Sequence, residues 1–290
     1  MGVEFSVFRR LWLAGMVVAA VVAFVFWVPV RGGFEKEADC ANVTVMTYNI
    51  WDLGGKRPAL KHVEAVIRHV GIPDVLLLQE VRGEKMAALL AESLGFHYYL
   101  YREDQARGHD YGVSILSRYP LIESRSLCFK SSKAGRGALE ATVVLEDLKL
   151  RVCSVHLDRI EPLAEDKKGI HLGWDDAFFL LARETTAETV RSRCVEELLA
   201  WVGSDRVIVG GDFNTVFCSK AIRKMESVFV DALTGSSDYL TGTYIKSGLP
   251  VAPRLDFLFH SMDLRCIKAC VVRESAGDHF PVWAKIGFEF

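Results

Sequence analysis

Arg206-Val207-Ile208-Val209-Gly210-Gly211-Asp212-Phe213-Asn214 is the stretch from which the rest of the chain can be read. Three consecutive β-branched residues with no polar break predict a fully buried strand over 206–209. On this reading the strand stops at a pair of glycines, which let another backbone come close. Two short polar side chains, Asp212 and Asn214, follow at i and i+2. A plain turn and a built site account equally well for these residues taken alone.

The same ending recurs in both directions along the chain. Val43 to Asn49 alternates like a strand and ends on Asn49. Val75 to Leu78 is a buried strand that stops at Gln79-Glu80. Leu150 to Leu157 carries His156 and forms a hairpin with Leu139 to Leu145, turning at Glu146-Asp147. Further strands are expected over 96–101, 113–116, 255–259, 266–272 and 280–286, the last preceded by Asp278-His279. Helical spacing marks Ala59 to Val70, Lys85 to Leu94 (closed by Gly95), and one long amphipathic helix from Asp175 to Val202. Carboxylates spread over about 200 positions meet only if the fold gathers these strand ends at one rim, where sites are usually built. Strands and helices without steady βαβ alternation predict an α+β fold of two packed sheets with helices outside.

Each polar group also has a structural reading. Asn49 ends a strand, Glu80 marks a return to solvent, and His156 is a hydrogen-bonded core histidine. Tyr111, Arg136 and Asp256 pass individually as packing or surface residues. Cys266 and Cys270, four apart on a strand, would share a face and serve as core or surface residues.

The chain has 290 residues, 50% hydrophobic and 25% charged, which excludes disorder, collagen-like repeats and coiled coils. Lys plus Arg number 35 and Asp plus Glu 37, a balance that argues against a non-specific grip on nucleic acid. Seven cysteines without a C-x-x-C give neither a disulfide framework nor zinc spacing. Residues 11–30 carry no charge and are long enough to span a bilayer. Arg9 and Arg10 precede them, which predicts a cytoplasmic segment 1–10, a membrane anchor at 11–30, a tether at 31–40 and an extracytoplasmic domain from 41 to 290. A cleaved signal peptide, with secretion, is the competing reading. No G-x-x-x-x-G-K, G-x-S-x-G or H-E-x-x-H occurs, so neither a nucleotide-hydrolase loop, a serine-hydrolase elbow nor a zinc-protease helix is indicated.

Taken together, the stretches Thr47-Tyr48-Asn49-Ile50, Leu78-Gln79-Glu80, Tyr111-Gly112-Val113-Ser114-Ile115-Leu116-Ser117-Arg118, Arg136-Gly137-Ala138, Val155-His156-Leu157, Gly210-Gly211-Asp212-Phe213-Asn214, Arg254-Leu255-Asp256-Phe257-Leu258-Phe259 and Gly277-Asp278-His279 resemble the endonuclease/exonuclease/phosphatase superfamily. That group includes pancreatic-type deoxyribonucleases, abasic-site endonucleases, inositol polyphosphate 5-phosphatases and neutral sphingomyelinases. The resemblance covers residues 41–290 and implies a four-layer α/β/β/α sandwich of two mixed sheets, here preceded by the transmembrane helix. It implies Mg²⁺, with Mn²⁺ able to substitute, held by Glu80, Asn49 and Asp278; oxygen ligands of this kind suit Mg²⁺. His279 is the expected general base, its free imidazole suited to proton transfer near neutrality, and Asp256 the residue that orients it. Asp212 is expected to position or help deprotonate the attacking water. Asn214 and His156 are expected to donate to the phosphoryl oxygens, with Tyr111 and Arg136 as further phosphate-side contacts.

The substrate is expected to be a phosphate ester, with a small or lipid-headgroup phosphodiester ahead of nucleic acid and of a phosphomonoester. No basic stripe interleaved with aromatics marks a nucleic-acid groove. Lys130, Lys133, Arg136 and Lys167-Lys168 are the cations available for a polyphosphorylated ligand, and His171 to Phe179 is an aromatic-bearing segment able to hold a substrate. A non-catalytic binding module on the same fold is the alternative from another class. No protein partner is implied.

Overall fold

The computed structural model describes residues 41–50, 57–105, 111–146, 148–160, 174–245 and 252–288, with the side chains of 57–59 and 174–178 excepted. The expected membrane span at 11–30, the tether and Lys167-Lys168 lie outside these residues. Among the described residues no helix is long and apolar enough to cross a membrane.

Among the described residues, twelve strands form two six-stranded mixed sheets. The first sheet has the order β11 (Leu264–Val271), β12 (Val282–Phe288), β1 (Asn42–Asn49), β2 (Val75–Arg82), β4 (Tyr111–Ser117), β3 (Tyr98–Glu103). The second has the order β5 (Leu121–Cys128), β6 (Gly137–Leu145), β7 (Leu148–His156), β8 (Val207–Asp212), β10 (Asp256–His260), β9 (Val230–Asp231). Alternation along each strand sends one set of side chains into the gap between the sheets. Val43, Val45, Val75, Leu77, Val152, Ile208 and Leu258 build that shared core. The opposite faces are covered by helices. Val63 and Ile67 of α1 (Arg57–Val70) and Leu90 of α2 (Gly83–Leu94) pack on Met46, Tyr48 and Leu76 of the first sheet. Val195 and Leu198 of α4 (Val190–Val202) and Ile222 of α5 (Lys220–Glu226) pack on Val155, Val209 and Phe257 of the second. The result is the expected layering of helices, sheet, sheet and helices.

Four expectations are corrected. The long helix over 175–202 is two helices, α3 (Trp174–Thr186) and α4, separated at 187–189. Thr189 takes an extended backbone and its hydroxyl caps α4 by accepting from Ser192 N, so a capping residue interrupts what periodicity alone joins. The strand at 206–209 runs on through both glycines to Asp212. A Cβ on Gly211 would lie 1.9 Å from Val155 O, and one on Gly210 would lie 2.8 Å from Leu77 Cδ1, so the glycines permit close neighbours rather than ending the strand. β2 likewise continues past Gln79-Glu80 to Arg82. Finally, β11 bulges between Cys266 and Lys268, and Cys266 faces Ile286 while Cys270 faces Trp283. Those partners are an odd number apart on β12, so the two cysteines occupy opposite faces.

Candidate active site

Strand parity assembles the site. Asp212 has the parity of Ile208 on β8, and Asp256 that of Leu258 on β10, so both face the gap between the sheets. His156 on β7 has the parity of Val152, and Asn49 on β1 that of Val45. Register then aligns them: Gly137 opposes His156, His156 opposes Asp212, and Asp212 opposes Asp256 in one row across the second sheet. The row is anchored from behind. Phe213 points into the outer core, where its ring meets Phe257 and Phe259 edge-on at 5.7 and 5.4 Å. Each such pair contributes about 0.5–1.5 kcal/mol beyond its buried area.

Glu80 reaches this gap only through an irregularity. Leu78 pairs with Ser114 and Val81 with Gly112, so Gln79 and Glu80 together oppose the single residue Val113. Glu80 takes up the extra residue with φ at +56°, a left-handed conformation unusual outside glycine. Regular alternation would place Glu80 beside Leu76 and Leu78, under the helices. The bulge instead brings Glu80 Oε1 to 3.7 Å from His156 Nε2 and 3.9 Å from Arg136 Nη2. Strain held at a polar residue aimed into a cleft is characteristic of functional sites.

The two sheets are tied together beside the site. Asn49 Nδ2 donates to Asp212 Oδ2 across the gap at 3.0 Å and Asn49 also hydrogen-bonds Glu80. One layer further in, Gln79 Nε2 donates to Ser154 Oγ at 3.1 Å, and Ser154 Oγ donates to Leu78 O at 3.0 Å.

His279 completes the cluster from the segment before β12. Its Nδ1 donates to Asp256 Oδ2 at 2.8 Å, and its Nε2 lies 3.9 Å from Asp212 Oδ2. The segment is pinned to β1, because Ala276 N donates to the Tyr48 hydroxyl at 2.9 Å and Ser275 Oγ donates to His279 O at 2.5 Å. Burial opposes a charge on His279, but Asp256 and Asp212 outweigh it and push its pKa up to about 10. Burial raises Asp212 to about 7 despite the nearby imidazolium, with Asp256 adding to the rise. His279 therefore holds its proton at neutral pH, which departs from the expected role of base. The free-imidazole value behind that expectation ignores two adjoining carboxylates.

His156 is the opposite case. Burial, then Arg136, drive its pKa well below the ordinary value, so the ring is neutral. Arg136 Nη1 lies 2.9 Å from Nδ1 and can only donate, which leaves the ring proton on Nε2. That buried Nε2 has no hydrogen-bond partner and sits 3.7 Å from both Glu80 Oε1 and Asp212 Oδ2. A donor is thus aimed into the gap between two carboxylates.

Asp278 is 1% exposed, and among the described residues neither of its carboxylate oxygens has a hydrogen-bond partner. A carboxylate buried without a partner costs several kcal/mol unless a cation meets it. Its charge acts on Glu80, whose own pKa is raised chiefly by burial. Glu80, which Asn49 hydrogen-bonds and on which the Asp278 charge acts, has with them oxygen atoms of the type a hard divalent cation takes. Ligand atoms of Asp212, Asp256 and His279 also lie within 4.8 Å of one another. There, however, the Asp256–His279 hydrogen bond already occupies one pair, whereas among the described residues the Asp278 carboxylate has no hydrogen-bond partner.

Other expected residues have different neighbours. Both Nδ2 protons of Asn214 are engaged, with Leu157 O at 2.9 Å and Asp212 Oδ2 at 3.1 Å, and its backbone N donates to Asp212 Oδ1 at 2.8 Å. Asn214 thus holds Asp212 in place. Arg136 binds Asp104 Oδ2 at 2.8 Å as well as His156, and so fixes His156. Tyr111 opens β4 opposite Arg82, with the parity of Val113 that faces the gap. Of the aromatic-bearing segment, only Phe179 has a described side chain, and it is exposed.

Two residues were missed. Asp104, 3% exposed, is clamped between Arg102 Nη1 and Arg136 Nη1, each at 2.8 Å. In the sequence it is one acid among Arg102-Glu103-Asp104, with nothing to set it apart from a surface loop. Tyr244 bridges to His279 and its ring centroid lies 5.0 Å from the imidazole. It follows a Gly- and Thr-rich stretch that gives no period.

Two packed mixed sheets with a carboxylate–histidine cluster at the rim define a class of α+β sandwich whose chemistry is acid–base and electrostatic. The chain belongs to the endonuclease/exonuclease/phosphatase family, whose model matches residues 46–279. Members of that superfamily are phosphoester hydrolases, generally dependent on a divalent metal. Solved structures share the fold. An endonuclease/exonuclease/phosphatase from Beutenbergia cavernae is 19% identical with a TM-score of 0.63, covering 85% of this chain and 72% of its own. TDP2 from D. rerio, complexed with a single-strand DNA product, is 15% identical with a TM-score of 0.61 (85% and 99% covered). Sphingomyelinase C from Streptomyces griseocarneus is 17% identical with a TM-score of 0.62 (84% and 99% covered). No curated protein matches the sequence at a significant level.

Proposed function

We propose that this chain is a Mg²⁺-dependent phosphodiesterase, anchored by residues 11–30 and acting outside the cytoplasm. The observation that carries the catalytic reading is the pairing of a buried, unpartnered Nε2–H on His156 with a carboxylate, Asp212, poised near neutrality beside the His279 imidazolium. In this reading Asp212 orients the attacking water and takes its proton as the new P–O bond forms and the ester P–O bond breaks. His279 and His156 donate towards the phosphoryl oxygens as charge builds on them. Asp256 keeps the His279 ring oriented and charged, Arg136 fixes the His156 tautomer, and Asn214 holds Asp212. Glu80, Asp278 and Asn49 would hold Mg²⁺, which when bound would supply charge neutralisation and Lewis acidity. Tyr244 and Tyr111 border the place where the rest of the substrate lies.

The test is turnover of bis-p-nitrophenyl phosphate, p-nitrophenyl phosphate, plasmid DNA and sphingomyelin with Mg²⁺, beside a His279→Ala control. Turnover of a diester that is lost in the control is the expected result. Hydrolysis of the monoester alone would replace the diesterase reading. Silence on all four, with no Mg²⁺ binding, would leave a binding module. The orientation is tested separately by protease accessibility of the domain in intact cells; protection of the domain inside the cytoplasm would reverse it.

A further inference from the structure

Two histidines meet in the gap between the sheets, and each has an acid near its Nδ1. Asp256 touches His279 directly, with Nδ1 donating to Oδ2 at 2.8 Å. The acid near His156 is Asp104, whose Oδ2 lies 3.8 Å from Nδ1, too far for a hydrogen bond. Arg136 bridges the two. Its Nη1 donates to Asp104 Oδ2 at 2.8 Å and lies 2.9 Å from His156 Nδ1. A guanidinium nitrogen of this kind carries two protons and accepts none, so one proton serves each neighbour. The bond made at one ring nitrogen decides where the ring proton sits. An acid in contact makes Nδ1 a donor, whereas an acid reached through an arginine makes Nδ1 an acceptor.

Asp104 is held firmly for this. Its Oδ1 accepts from Arg102 Nη1 at 2.8 Å, and its backbone N donates to Tyr111 O at 2.8 Å, where β3 and β4 end. Gln105 N donates to Gly135 O at 3.0 Å, which ties the backbone beside Asp104 to the residue before Arg136. Arg102 lies against Gly137: a Cβ there would fall 2.5 Å from Arg102 Nη2 and 2.0 Å from Leu127 O. Gly137 opposes His156 in register. The edge strand of the first sheet therefore reaches the second sheet beside His156.

Arg136 has a second carboxylate near it. Its Nη2 is 3.9 Å from Glu80 Oε1, and its charge opposes the rise that burial gives the Glu80 pKa. Opposite charges attract strongly where water is scarce. An Arg136 released from Asp104 would turn to Glu80. His156 Nδ1 would then lose its donor, and a guanidinium would sit on a residue proposed to hold Mg²⁺. Buried ion networks add little net stability over apolar packing. What this one adds is a fixed direction for one N–H.

Resting on the phosphodiesterase reading, in which His156 donates to the phosphoryl oxygens, we propose that Asp104 is a positioning residue of the reaction. It seats Arg136 on His156 Nδ1 and away from Glu80, and so keeps the ring proton on Nε2, aimed into the gap. Asp104 acts through Arg136 and has no contact with the ester.

Nitrogen-15 NMR of the full-length protein labelled at histidine tests this, with the His156 signals assigned by their loss in His156→Gln. The wild type is expected to show a protonated Nε2 and a bare Nδ1. Asp104→Asn is expected to place protons on Nδ1 in part or in full. It is also expected to lower kcat for the diester at least about tenfold with KM within about twofold, and to need more Mg²⁺ for half-maximal rate. A purely structural role would lower the melting temperature and leave the ring proton where it is. In Arg136→Met, Asp104 faces Nδ1 directly, and Nδ1 is expected to be protonated as it is in His279. That variant decides the proposal if Asp104→Asn does not fold. A wild-type ring protonated on Nδ1, an Nδ1 that stays wholly bare in the deciding variant, or wild-type kcat in folded Asp104→Asn would overturn it. If the wild type turns over no ester, the phosphodiesterase reading fails instead, and the NMR comparison alone decides whether Asp104 places the proton.

Discussion

Two carboxylates and one imidazole carry the proposed mechanism at the scale of residues. In it, Asp212 is ionised to accept a proton, and His279 is charged to stabilise the phosphoryl oxygens. With Asp212 near 7 and His279 near 10, kcat/KM is expected to rise with pH through about 7, stay level, and fall through about 10. A rate that declines as pH rises from 6 to 8 would reverse the assignment of base. Asp256→Asn removes the largest influence raising His279, so the alkaline limb is expected to move towards neutrality. His279→Ala is expected to lower kcat by about 10²–10⁴, with KM changed much less, in single-substrate kinetics. Asp278→Asn removes a buried carboxylate that has no hydrogen-bond partner among the described residues. In chelator it is expected to melt at or above the wild-type temperature, and to lose the Tm increase that Mg²⁺ gives the wild type. An equal Mg²⁺ shift in both proteins would move the cation elsewhere.

Elements decide which of these residues meet, and they also decide what was legible. β1, β8 and β10 are readable because their apolar runs are long and their polar ends abrupt. Once Asp212 is placed on a strand rather than after one, parity alone puts it in the gap. The Glu80 bulge is not readable, since a single inserted residue leaves no mark on the hydrophobic pattern. The break at 187–189 is masked because Arg191 and Glu184, a buried ion pair, look like the polar face of one continuous helix. β5 escaped for a related reason: as an edge strand with four exposed residues it lacks a strong apolar signal. The glycine pair gives a test at this scale. Gly211→Ala presses a methyl onto the rigid Val155 carbonyl and is expected to cost ~3 kcal/mol or more, or to prevent folding. Gly210→Ala meets a flexible Leu77 methyl and is expected to cost less. Denaturant melts of the two variants check the order.

Across the whole molecule, the site belongs to neither sheet alone. Glu80, Asn49 and the segment bearing Asp278 and His279 come from the first sheet, and His156, Asp212 and Asp256 from the second. EDTA is therefore expected to abolish activity without unfolding the domain, because the apolar layer between the sheets persists when the cation leaves; far-UV circular dichroism beside the assay checks this. Full activity in excess chelator would refute the metal dependence.

β12 lies between β11 and β1, so the strand at 42–49 stays without one of its neighbours until residues 282–288 have been made. During synthesis, a nascent chain emerging from the ribosome carries Asn49, Glu80, His156 and Asp212 long before it carries Asp278 and His279. On the proposed mechanism, catalysis waits until residues 278 and 279 have been made, and a polypeptide interrupted before them is chemically silent whatever it has already folded.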